Sequence, residues 1–132
     1  MKGSKAGLAA LAVVAGFAAG ATAQELGAMA DKQLKGDAIA ATLGGGTLKG
    51  VNSYGNPYRV TVRADGTLDG VAGKNDEYTD KGSWRVQGDQ FCRQWQTWLD
   101  GKEDCFLAVL DGGQVVWFRP DGSFAAAEEL TR

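Results

Sequence analysis

Apolar and polar positions alternate in short runs from Thr47 onward, and the runs are separated by turn residues. In YRVTVRA (58–64), Tyr58, Val60 and Val62 fall on one face and Arg59, Thr61 and Arg63 on the other. That period of two belongs to a strand with one buried side. Asp65-Gly66, Asp69-Gly70, Gly88-Asp89, Asp111-Gly112 and Asp121-Gly122 are hairpin-type turn pairs. The pattern predicts strands near 47–53, 57–64, 67–72, 81–87, 90–96, 104–110, 114–119 and 123–127. Eight short strands in series imply a mainly β fold: a small antiparallel up-and-down barrel or a curled meander sheet. One helix is predicted, with Asp37 as N-cap, AIAATL as its body and Gly44–Gly46 as its stop. It caps an open end of the sheet or lies on one face. KNDEYTD (74–80) reads as a polar connection, and its acids follow no calcium-loop spacing.

The N-terminal segment has another pattern. Lys2 and Lys5 precede an alanine-rich apolar run that ends in Ala21-Thr22-Ala23, the layout of a secretory signal peptide. A membrane anchor would need about 20 apolar residues, and this run is broken by Gly7, Gly16 and Gly20. The expected organisation is a cleaved signal peptide over 1–23, a leader over 24–33 and a single β-rich domain over 34–132. The mature chain is then periplasmic or secreted, with no membrane span. Cleavage after Ala23 removes two lysines and no acid, so the net charge moves from −2 to −4. Without clustered Lys and Arg, nucleic acid is not an expected partner. Histidine is absent, which removes His-based catalytic triads and His zinc ligands. No cofactor and no metal are expected.

Both cysteines lie in FCRQWQTWLDGKEDCF (91–106). In an oxidising compartment, a pair of cysteines in a small domain reads first as a disulfide. Two thiols are too few for a structural zinc, and no base is at hand to make either one a nucleophile. The staple and a tight turn at Asp100-Gly101 exclude each other. That turn would leave Cys92 four residues out of register with its partner, beyond the roughly 7 Å Cα limit. With the staple, Cys92 faces Cys105, Trp95 faces Lys102, and QTWLDG (96–101) becomes a loop tip.

Across the Gly88-Asp89 turn, Val86 faces Phe91 and Trp84 faces Arg93. Trp84, Val86, Phe91, Arg93 and Trp95 then share one surface, with Cys92 on the other. A charged residue within an aromatic row has two readings. Arg93 with Trp84 and Trp95 could clamp an anionic or planar ligand in a cavity. The simpler reading puts the row at the open rim, with the arginine snorkelling to water. Trp117 reads as core. Trp98 and Leu99 are either partner contacts at the loop tip or the buried inside of a loop that folds back. No pair of carboxylates stands in an apolar setting of the kind that raises a pKa, so an enzyme is not expected.

GSWRVQGDQFC (82–92), a second cysteine in DCFLAVLDGG (104–113) and VVWFRPDG (115–122) together resemble a family of small exported bacterial proteins of unknown function. Its layout is a helix, a G-x-W-x-V-x-G-D-x-x-C hairpin and a second cysteine-bearing strand. The resemblance covers roughly residues 34–122. It implies a periplasmic β-rich domain with a disulfide, and it carries no catalytic residue. A looser likeness to lipocalins rests on Gly82 and Trp84. The expected function is therefore binding, of a small apolar or amphipathic ligand in a barrel-like pocket. The alternatives are an inhibitor-like or envelope-protein-binding module that uses the 96–101 tip, and a hydrolase, which the lack of histidine disfavours.

Overall fold

The computed structural model describes residues 23–132; the segment expected as a signal peptide, 1–23, lies outside the described residues except for Ala23. Eight strands form one closed antiparallel barrel in sequence order. They are β1 (Thr47–Val51), β2 (Pro57–Val62), β3 (Thr67–Ala72), β4 (Tyr78–Gln87), β5 (Gln90–Trp95), β6 (Glu103–Asp111), β7 (Gln114–Phe118) and β8 (Phe124–Thr131). The expected strands are all present, and their ends differ where pairing reaches beyond the local pattern. β4 begins at Tyr78 because that residue pairs with Ala72, so the polar connection of 74–80 is shorter than expected. β8 runs on to Thr131 because Thr47, Leu48 and Lys49 pair with Thr131, Leu130 and Glu129 to close the barrel. Asp69-Gly70 is not a turn but lies within β3, where Gly70 faces Val60 on β2 and Asp80 on β4.

Inward side chains follow the period of two along the strands, with one break in β8 where a bulge turns both Ala125 and Ala126 inward, and they fill one end of the barrel. The helix α2 (Asp37–Leu43) lies across that end and buries Ile39 and Leu43 completely against Leu48, Val60, Val62 and Leu68. Burying each such side chain contributes about 1.5 to 3 kcal/mol. The cap differs from expectation. Gly36 occupies the N-cap with φ 53° and no side-chain capping bond, and Asp37 is the first helical residue. Asp89, in the β4–β5 turn, accepts the Gly36 N–H at 3.0 Å and ties the helix entry to the barrel.

The segment expected as a leader, 24–33, together with Ala23, forms a short helix α1 (Ala23–Ala28) and a 3₁₀ turn (Ala30–Lys32). Leu26 and Met29 pack against Val109, Val116 and Phe118. This satellite cluster lies on the outside of β6 and β7, so Trp117 and Phe118 are both buried although they point to opposite sides of the sheet.

Cys92 and Cys105 are directly opposite in register, with Cα atoms 4.0 Å apart, and are disulfide-bonded. Trp84 faces Arg93 and Val86 faces Phe91, as the hairpin reading requires. On the outer face Arg85 of β4 makes a paired hydrogen bond to Glu103 of β6, at 2.9 Å for each contact, and so spans β5 beside the disulfide.

Candidate functional site

The other end of the barrel is open. A cavity of about 1000 Å³ enters between the loops β1–β2, β3–β4, β5–β6 and β7–β8. Its apolar wall includes Leu48, Val60, Leu68, Phe91, Trp95 and Phe106. Ile39, Leu43, Val62 and Trp84 do not line it, because they form the packed floor beneath. Trp84 is the one member of the aromatic row that departs from the expected site. Its indole N–H donates to the Arg63 carbonyl at 2.8 Å, and its ring stacks on Phe91 with centroids 5.5 Å apart. It therefore supports the wall from below.

Arg93 and Trp95 do line the cavity. Trp95 is 4 % exposed. Arg93 sits opposite Asp104 in the β5–β6 ladder, yet makes no ion pair with it or with any other carboxylate among the described residues. Its guanidinium carbon lies 5.2 Å from the Phe106 ring centroid, in cation–π range. Its Nε is enclosed and has no hydrogen-bond partner among the described residues. A buried N–H on a charged group left without an acceptor costs upwards of about 1 to 3 kcal/mol, and the guanidinium keeps a charge that no carboxylate among the described residues matches.

A second polar group stands in the same cavity, and the sequence reading missed it. Glu128 of β8 is 5 % exposed. One carboxylate oxygen accepts the Trp117 indole N–H at 2.7 Å, and the other accepts the Tyr58 hydroxyl. Burial pushes the Tyr58 phenol well above its ordinary range, the Glu128 charge and hydrogen bond push it further, and the Arg93 charge opposes them. Glu128 escaped notice because β8 was expected to end at 127. The alternation itself, continued past Ala126, would have turned Glu128 inward.

The 96–101 loop folds back over the mouth instead of projecting. Thr97 and Trp98 donate their backbone N–H groups to one oxygen of Asp80, at 2.9 and 2.8 Å. Burial alone would raise the Asp80 pKa, but the Trp98 and Thr97 N–H groups outweigh it and hold the carboxyl below its ordinary range. The Trp98 ring packs on Trp95 with centroids 4.8 Å apart and lies over Gly70, where an added Cβ would come within 2.3 Å of it. Trp98 is thus half-buried cavity wall. Leu99 remains 54 % exposed at the lip, and Val51, Tyr54 and Tyr78 are the other exposed apolar residues that line the mouth.

No group of three or more metal-ligating side chains occurs among the described residues, and no helix among them is long and apolar enough to cross a membrane. Comparison with protein-family models, with curated proteins and with solved structures gave no match.

Proposed function

We propose that this is an exported binding protein for an amphipathic acid, whose apolar body occupies the barrel and whose anionic group meets Arg93. The observation that carries this reading is a guanidinium, that of Arg93, which lines a mostly apolar cavity and pairs with no carboxylate among the described residues. A guanidinium is the side chain best suited to a carboxylate, and the apolar wall around it strengthens a charge-assisted hydrogen bond relative to one in bulk water. Export is supported by the N-terminal sequence pattern and by the disulfide. The apolar lip of Val51, Tyr54, Tyr78 and Leu99 supports a second reading. In it an envelope protein seats on the mouth, held partly by the 96–101 loop.

Titration of the purified, disulfide-intact protein with decanoate and with decanol tests the first reading, followed by tryptophan fluorescence, since Trp95 and Trp98 line the cavity. Decanoate should bind saturably and at least about tenfold tighter than decanol, the share expected of one charged hydrogen bond. Arg93→Met keeps the apolar stem and removes the charge, so it should bring decanoate down to the level of decanol. Absence of binding by either compound would discard the ligand reading and leave the partner at the mouth.

A further inference from the structure

We infer that Glu128 is a second recognition point in the cavity, and that the acid bound there carries a hydroxyl or ammonium donor near its anionic group. This rests on the reading of Arg93 as the anion site. Glu128 lines the cavity, is nearly enclosed, and makes no ion pair among the described residues. Burying a carboxylate without a cation is strongly unfavourable. The Trp117 indole and Tyr58 hydroxyl that it accepts are neutral and could be served by a neutral amide. A carboxylate has about four acceptor positions, and these two donors occupy one on each oxygen. Capacity for further donors therefore remains on a residue that faces the cavity.

Arg93 does not discharge this group. The two are not within ion-pair distance, and the Arg93 Nε is itself unpartnered. They nevertheless share one region, since the Arg93 charge acts on the Tyr58 phenol that Glu128 holds. Two opposite charges that line one cavity without touching suit a guest placed between them, one that offers an acceptor to Arg93 and a donor to Glu128. An apolar chain or ring on that guest would fill the wall formed by Leu48, Leu68, Phe91 and Trp95. The ligand class is thus a hydroxy or amino acid with a large apolar body, in preference to a plain fatty acid.

The test compares decanoate with 3-hydroxydecanoate on the full disulfide-bonded protein and on Glu128→Gln, again by tryptophan fluorescence. The wild type should bind the hydroxy acid about tenfold more tightly, the scale of one hydrogen bond to a charged group. Glu128→Gln should reduce that preference to parity. Equal binding of the two acids by the wild type overturns the inference while the Arg93 reading stands, and it needs no folded variant. A variant that weakens both acids equally also overturns it, because Glu128 then only shapes the wall. If neither acid binds, the reading of Arg93 falls first and this inference with it.

Discussion

Tyr58 shows how one residue's position can commit several others. Its ring enters the barrel over Gly50, where an added Cβ would lie 2.6 Å from the phenol oxygen. A glycine inside a strand weakens it by conformational entropy and lost packing, and here it opens the path by which the hydroxyl reaches Glu128. Because the phenol pKa is raised, chiefly by burial and then by Glu128, Tyr58 contributes stability that is fully present below the ordinary phenol value near 10 and is lost as pH rises above it. Phenolate absorbance in an alkaline titration should therefore show one late step, linked to unfolding, that Tyr58→Phe deletes. If the full absorbance of all three tyrosines develops in the ordinary range while the barrel is still folded, the phenol is not held as described.

At the scale of elements, the β5–β6 loop stores strain. Leu99, Asp100 and Gly101 have φ of 56°, 58° and 68°, and each non-glycine residue in that left-handed region costs about 1 to 2 kcal/mol. Asp80 and the seat of Trp98 on Gly70 and Trp95 offset this. Since the Asp80 carboxyl is held below its ordinary value, its support is present above about pH 4 and is lost as pH falls through the folded-state value. Hydrogen exchange should show the Thr97 and Trp98 amides losing protection in acid, and Asp80→Ala should reproduce that loss at neutral pH. Unchanged protection in the variant would assign the loop's closure to Trp98 packing alone.

The strands are legible in the sequence because period-two alternation and turn pairs are local signals, and the need for Cys92 to reach Cys105 sets the β5–β6 register. The direction of Trp98 was not legible. It depends on Gly70, two strands away around the wall, and Asp69-Gly70 by itself reads as a turn. Glu128 was hidden because β8 runs past 127, where Glu128 pairs with Val115 and Glu129 with Gln114 in the β7–β8 ladder before Glu129, Leu130 and Thr131 also pair with β1.

Closure makes the whole molecule depend on each ladder, since a barrel opened at one seam exposes two unpaired strand edges. The β1–β8 seam has three register pairs and β5–β6 has four, fewer than the other ladders. The disulfide fastens the second of these thin seams, directly below the loop that shapes the cavity mouth. A crosslink enclosing a loop of this size, with a sequence separation of 13, contributes about 3 kcal/mol in the entropic account. For a domain of about 100 residues that corresponds to a fall in Tm on the order of 10 °C or more on reduction. Calorimetry with and without reductant should show one cooperative transition in each case, with the reduced protein melting lower. On the proposed reading, decanoate affinity should fall together with the stability of the seam, because Arg93 and Trp95 are carried by β5 and Asp104 and Phe106 by β6. A reduced protein that melts within about 2 °C of the oxidised one would mean that the ladders close the barrel unaided, and that the disulfide serves only to position the loop between its two cysteines.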